Sequence, residues 1–446
     1  MKQRRFHLSN TQMILLSFLG AILAGGILLA LPFSAADGRA IPFTDALFTA
    51  ATSVCVTGLV TVPVISFSPF GQAVILILIQ MGGLGIVTFM SIFTLALNRK
   101  MGLSDRLLLQ DAFNLNGIQG VVTFIRRAVI GTLIAEAAGA LIVMTAFIPR
   151  YGIRGIWLAV FHAVSAFCNA GLDILGTDSL MGWALSPVVC GMTELLIILG
   201  GVGFVVWWDL GRIIRERKRF RDLTLHSKIA LCATLVLLLC GALGFLVLEY
   251  ENPATLGNLP FWDKIRMAFF QSVTTRTAGF AAVDQGSLTG GSALLGCLLM
   301  FIGGSPVGTA GGIKTVTFVV LTAFAFNTAI GNREVSLFSR RVPRQTLYKA
   351  IAVAFVSLAT VITSSLLLCL FTRQNALDLL YEAVSATATV GLSRNVTGNL
   401  NEAGKWVIMA TMYLGRVGPL SLAVAFGARR ENRNLIRDPE EEISVG

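Results

Sequence analysis

The feature that most constrains this chain is a pattern of eight long apolar runs with four short ones between them. The long runs are Thr11 to Phe33, Gly71 to Leu97, Ala128 to Ile148, Pro187 to Trp208, Ile229 to Leu248, Ser292 to Phe326, Ala350 to Phe371 and Trp406 to Phe426. Most of them can cross ~30 Å of hydrocarbon as helices. The short runs lie near Phe43 to Cys55, Ile156 to Cys168, Ile265 to Thr275 and Leu377 to Thr387. They are too short to span and fit half-crossing helices. Twelve full spans would be the rival count, and the length of the short runs argues against it. With 55% hydrophobic and 13% charged residues, too few polar side chains exist to cover several soluble cores. The expected fold is an all-α polytopic membrane protein with eight transmembrane spans.

Charge sets the orientation. The net +11 is concentrated at Lys2, Arg4 and Arg5, at Arg99, Lys100, Arg106, Arg126 and Arg127, from Arg212 to Lys228, from Arg333 to Lys349, and from Arg429 to Arg437. The alternate loops carry few basic residues, so the positive-inside rule puts both termini in the cytoplasm. The basic residues stand between apolar runs and not on one amphipathic face, which argues against nucleic acid as a partner. The first run is long enough to be an anchor and not a cleaved leader. The seven cysteines read as small buried residues without ligand spacing, and His7, His162 and His226 form no metal-like group. Glycine-rich strings fail the P-loop and dinucleotide templates. No nucleophile–base constellation is present, so an enzyme is not expected.

The short runs end alike: FTDALFTAATSVCVTGL (43–59), FHAVSAFCNAGL (161–172), RMAFFQSVTTRTAGF (266–280) and LYEAVSATATVGL (380–392). Each closes on a glycine, at Gly58, Gly171, Gly279 and Gly391, at intervals of 113, 108 and 112 residues. A tandem repeat follows, with domains expected at 1–97, 98–208, 209–328 and 329–428 and a cytoplasmic tail over 429–446. Gly82, Gly303 and Gly415 each stand 24 residues after their glycine, and Gly200 stands 29 after its own. Each unit reads as span, short descending helix, extended glycine segment, span.

Four such units around one axis make a pore of pseudo-fourfold symmetry. The short helices would turn their partially negative C-terminal ends toward a central cavity. The segments Val56, Thr57, Gly58; Asn169, Ala170, Gly171; Thr277, Ala278, Gly279; and Thr389, Val390, Gly391 would line it. Their backbone carbonyls can replace the water shell of an alkali cation. Glycine permits the dihedrals such a segment needs, and glycine in all four units favours potassium.

The third unit continues as GGSPVGTAGGI over 303–313 and then Lys314. Pro306 breaks a helix there, so two half-helices joined by a loop beneath the filter are expected; a kinked helix without a gating role is the alternative. Lys314 would anchor that loop or snorkel. Arg416 lies mid-span, where a guanidinium facing lipid is costly. It would face the cavity or pair with Glu136 or Glu194. Asp45, Asp173 and Asp378 would concentrate cations at the outer mouth.

These motifs together resemble the Trk/Ktr/HKT superfamily of potassium transporters over about residues 10–428, and most closely its eight-span bacterial Ktr membrane subunits. The first loop begins too early for the two additional leading spans of Trk subunits. The resemblance implies potassium as the transported ion, with sodium stimulation, in the bacterial plasma membrane. It also implies a homodimer on a separate cytosolic octameric ring of RCK-type regulatory subunits, which bind ATP or ADP while this chain binds no nucleotide. By the same resemblance the four glycines are filter glycines. Val307, Gly308, Thr309, Ala310, Gly311, Gly312, Ile313 and Lys314 form an intramembrane gate loop, and Arg416 is the pore arginine. The basic stretches Arg212 to Arg221 and Arg340 to Arg344 would dock the ring; contact with anionic membrane lipid would equally explain them. A sodium or mixed sodium/potassium member of the superfamily, and an alternating-access transporter, are the alternatives.

Overall fold

The computed structural model describes residues 10–86, 120–332 and 334–418. The ends of the second and eighth apolar runs, the basic groups at 2–5, 99–106 and 429–437, and the tail 429–446 lie outside these. The chain folds as four successive groups of helices. The first holds α1 (Asn10–Ala30), α2 (Phe43–Cys55) and α3 (Pro69–Leu84). The second holds α4 (Val121–Tyr151), α5 (Arg154–Phe167), α6 (Pro187–Val202) and α7 (Phe204–Glu216). The third holds α8 (Leu225–Glu249), α9 (Phe261–Thr274), α10 (Gly290–Phe301) and α11 (Thr315–Ala329). After a two-stranded hairpin, β1 (Ser336–Leu337) and β2 (Arg340–Arg341), the fourth holds α12 (Arg344–Phe371), α13 (Ala376–Thr387) and α14 (Glu402–Val417).

Local chemistry explains where the third helix of each group starts. Ser68, Ser186, Thr289 and Asn401 each stand at the N-cap and accept a backbone N–H from three residues on. Pro69 and Pro187 follow at the first helical position, where a missing N–H costs nothing. Among the described residues, α1, α4, α8 and α12 are long and apolar enough to cross a membrane. Their outward faces stay apolar and exposed, as at Ile134, Leu243 and Phe355.

The other four expected spans are shorter than their apolar runs. Helices α3, α6 and α14 stop where Gly85, Gly203 and Gly418 adopt φ of 85°, 95° and 88°. Side chains resist that conformation. At Gly203 the chain turns by 96° into α7, so Pro187 to Trp208 is not one straight helix. The signal was present as glycine three residues after Gly82, Gly200 and Gly415. In the third group the apolar run breaks into α10 and α11, as Pro306 and the glycines around it predict.

The groups close on themselves. Each long helix packs on its own short helix, and each third helix packs on the short helix of the next group: α3 on α5, α6 on α9, α10 on α13, and α14 back on α2. The short helices are thus buried beyond their first turns, with Phe48, Phe161, Phe270 and Tyr381 at 1% exposure or less.

Candidate functional site

The chemistry of each short-helix terminus repeats. Thr57, Ala170 and Val390 each donate a backbone N–H to the carbonyl five residues back, all at 2.8 Å, while Val56, Asn169 and Thr389 donate three residues back at 3.2 Å. This double closure requires a left-handed residue just past the helix. Hence Val56, Asn169 and Thr389 have φ of 56°, 58° and 51°, and Thr277, which closes slightly differently, has 63°. Two positions later Gly58, Gly171, Gly279 and Gly391 have φ of 100°, 64°, 81° and 99°. The residues between them are not left-handed. Alternating handedness turns successive carbonyls to the same side of the segment, unlike an ordinary strand.

A hydroxyl six residues before the glycine completes the turn in three groups. Thr52 Oγ1 accepts from Gly58 N at 2.9 Å, Ser165 Oγ from Leu172 N at 3.1 Å, and Ser385 Oγ from Gly391 N at 3.0 Å. The third group has Val273 at this position, and Thr274 Oγ1 donates to the Phe280 carbonyl instead, at 2.6 Å. These hydroxyls carry a sequence signal of their own, an equal offset of six residues at Thr52, Ser165 and Ser385.

The four segments meet. A Cβ at Gly58 would strike the Ala170 carbonyl, one at Gly171 the Ala278 carbonyl, one at Gly279 the Val390 carbonyl, and one at Gly391 the Thr57 carbonyl, each at 2.6 Å or closer. Each glycine therefore abuts the central residue of the next group, in order around a ring. Gly82, Gly200 and Gly415 serve a second purpose. A Cβ there would collide with the carbonyls of Val54, Phe167 and Thr387 at the ends of the short helices. Gly303 faces the Gly311 carbonyl instead. The equal 24-residue offset thus coincides with an equal contact in the first and fourth groups but not the third, while the second shares the contact at offset 29.

Residues 302–314 fold back beneath the ring. Ile302 and Ile313 bridge in parallel across the base. The loop touches all four groups, directly or through Arg416. Thr309 Oγ1 donates to the Phe167 carbonyl at 3.0 Å and to Asn169 Oδ1 at 3.3 Å, Gly311 N donates to Thr277 Oγ1 at 3.1 Å, and Gly311 leaves no room for a side chain beside Thr389. Arg416 donates to the Thr309 carbonyl at 2.8 Å and to the Gly82 carbonyl at 2.5 Å. Lys314 Nζ turns back to the Ala310 carbonyl at 2.6 Å, a bond within the loop itself.

Several expected roles change. Neither Glu136 nor Glu194 pairs with Arg416 among the described residues; Glu136 accepts from Gln80 Nε2 at 3.3 Å. Asp45 pairs with Lys405 at 2.8 Å and Asp378 with Arg394 at 2.6 Å. These two acids stand in the first turns of α2 and α13, where they also complement the helix dipole. They are clamps and not free charges at a mouth. Asp173 lines a vestibule of about 240 Å³, together with all four glycines, Asp178 and Asp284. Burial pushes its carboxyl up to about 6 against the pull of hydrogen bonds from Leu175, Ser179 and Gly176. Arg276, beside Thr277, was missed. The residue is 6% exposed, and its Nη2 donates to the Gly303 carbonyl and to Thr234 Oγ1, both at 3.4 Å. All seven cysteines are free, and Cys240 and Cys369 are exposed and not buried. No group of three or more His, Cys, Asp or Glu that could hold a metal occurs among the described residues.

Four glycine segments that abut in a ring, with an arginine-held loop packed against them, form the site, and sequence comparison gives the class of protein. The TrkH family, described as cation transport protein, matches residues 5–436. The chain belongs to this family, which is one of transporters and not of enzymes. It is 38% identical to Ktr system potassium uptake protein B of Bacillus subtilis, covering 98% of this chain and 96% of that one. It is 36% identical to potassium/sodium uptake protein NtpJ of Enterococcus hirae, covering 100% and 99%. The crystal structure of the potassium transporter TrkH from Vibrio parahaemolyticus superposes with a TM-score of 0.74 at 18% identity, covering 95% of this chain and 86% of that one. That likeness shows the fold.

Proposed function

We propose that this chain takes up potassium through a selective pore along the ring axis. The observation that carries the reading is the ring closure, in which four left–right–left segments abut in order through Gly58, Gly171, Gly279 and Gly391. A potassium ion entering from the vestibule exchanges its water for the carbonyls of Val56, Thr57, Asn169, Ala170, Thr277, Ala278, Thr389 and Val390 and of the four glycines. The C-terminal ends of α2, α5, α9 and α13 lower the cost of a cation at the axis. Irregular backbone at this depth is tolerable because it lines the conduction path.

On this reading the four groups are pore repeats with eight membrane crossings, the broken third helices counting as crossings, and both termini are cytoplasmic. The loop from Val307 to Lys314 is a gate that stops ions below the filter, and Arg416 locks it shut and repels cations. The names of the relatives support potassium, and that of the Enterococcus hirae protein supports sodium as a second transported ion. We further propose a homodimer in the plasma membrane, served by a separate cytosolic RCK-type regulatory subunit that binds ATP or ADP. The exposed β1–β2 hairpin, with Arg340, Arg341 and Arg344, is its docking point.

The test is ion flux by the purified chain in sealed vesicles. Potassium uptake driven by an imposed inside-negative potential supports the reading. Absence of flux for both potassium and sodium, with the protein folded and inserted, refutes it.

A further inference from the structure

The 96° turn at Gly203 lays α7 across the direction of α6. Since α6 runs through the membrane on the proposed topology, α7 runs along its cytoplasmic surface. Val206, Asp209 and Ile213 are buried along one side of α7. Trp208 and Arg215 occupy the opposite side, and Ile214 is 76% exposed on the flank. Trp208 is 38% exposed, with one part of its ring stacked on Phe124 and covered by the Arg127 guanidinium at 4.5 Å, which adds a cation to this face. Between 212 and 221 there are six Lys or Arg residues and one acid. Arg212 pairs with Asp209 and Lys218 with Glu216. Arg215, Arg217, Arg219 and Arg221 make no ion pair among the described residues, and Phe220 lies exposed among them. Unpaired cations beside exposed apolar and indole side chains match the boundary between headgroup and acyl chain. An acidic protein surface would satisfy the cations and leave Ile214 and Phe220 in water.

The other end of α7 holds the loop. Phe204 N donates to the Val307 carbonyl at 2.9 Å, and the loop amides of Ser305 and Thr309 donate to Gly201 and Gly200 at 2.8 and 3.1 Å. A Cβ on Gly203 would lie 2.5 Å from the Pro306 carbonyl. Gly200 and Gly201 belong to α6 and Phe204 opens α7, so a tilt of α7 about this hinge pulls on Val307 while α6 holds Ser305 and Thr309.

We infer that the basic end of α7 binds anionic phospholipid headgroups and that their occupancy sets the position of the loop. The inference rests on the loop acting as a gate, and its test separates the two claims. The full chain is reconstituted in phosphatidylcholine with or without phosphatidylglycerol, and two quantities are read. The first is quenching of Trp208 fluorescence by brominated phosphatidylglycerol against brominated phosphatidylcholine, taken as the difference between wild type and Trp208→Phe. We expect a preference of at least ~fivefold for the anionic lipid, lost when Arg215, Arg217, Arg219 and Arg221 are all changed to Gln. The second is potassium flux, which should change ~threefold or more with phosphatidylglycerol in wild type and not in that variant.

Equal quenching by both lipids overturns the lipid assignment. So does displacement of the effect by inorganic phosphate, or labelling of this face only by a soluble regulatory polypeptide. Anionic preference without a change in flux overturns the coupling. If no lipid gives any flux, the gate reading fails, and the quenching still decides the binding site. Should the quadruple variant fail to fold, Arg215→Gln with Arg219→Gln carries the same comparison.

Discussion

Arg416 Nη1 reaches the carbonyl oxygen of Thr309 at 2.8 Å, joining the end of α14 to the middle of the loop in the third group. Nη2 of the same guanidinium holds the Gly82 carbonyl. One side chain thus ties the loop to the first and fourth groups, and no acid is needed to place it. Hydrogen bonds from a charged donor contribute about 1.5–3 kcal/mol each. Arg416→Gln should therefore release the loop and raise potassium flux about tenfold, the equivalent of ~1.4 kcal/mol. Flux in vesicles checks this, with thermal melting alongside. A large melting loss with no gain in flux would assign Arg416 to assembly alone.

Tight contacts at Gly82, Gly200 and Gly415 predict a sharp contrast between glycines. Alanine at any of the three would strike a short-helix carbonyl and should cost about 1–3 kcal/mol, seen as a lower melting temperature in detergent. Gly191 lies in α6, and a Cβ there would have nothing within 4 Å of it. Gly191→Ala should be neutral or slightly stabilising. Equal effects at Gly191 and Gly200 would contradict the packing.

Much of this was legible because it depends on local chemistry. The four short helices lie within four residues of the expected positions at either end, for example Phe43–Cys55 and Ala376–Thr387. The broken third-group run followed from Pro306 and its glycines. What could not be read was conformation that opposes propensity. Val56 is β-branched and avoids a left-handed backbone on its own; the double hydrogen-bonded helix end imposes it. Pairing was equally hidden. Asp45 finds Lys405, which lies 360 residues away in sequence, and only the cyclic packing of α14 on α2 brings them together. The breaks at Gly85, Gly203 and Gly418 were misread because hydrophobicity runs through them unchanged.

The Asp45–Lys405 pair gives a third prediction. Both side chains are 14% exposed, so Lys405→Met leaves a mostly buried carboxylate without its cation. The expected loss is ~1–3 kcal/mol in stability, with the half-saturating potassium concentration unchanged. A weaker potassium affinity without a melting shift would return Asp45 to the mouth.

Asp173 supplies a pH dependence. Burial raises its carboxyl to about 6, so it is ionised above that external pH and neutral below it. Its negative charge lines the vestibule and raises local cation concentration. Apparent potassium affinity should weaken a few-fold as external pH falls through about 6. Asp173→Asn should be weak throughout and lose this dependence. A wild-type profile flat between pH 5 and 8 (roughly the range where a perturbed carboxyl titrates) would rule out this role.

The central claim is that the glycine ring selects the ion. It is tested most directly by potassium and sodium uptake in cells lacking their own potassium uptake systems, comparing wild type with Gly58→Ser. A serine side chain at φ 100° and against the Ala170 carbonyl must distort one quarter of the ring. The predicted result is uptake that persists with discrimination against sodium lost by about tenfold, or ~1.4 kcal/mol. Unchanged selectivity in this variant, and in the matching variants at Gly171, Gly279 and Gly391, would contradict the account.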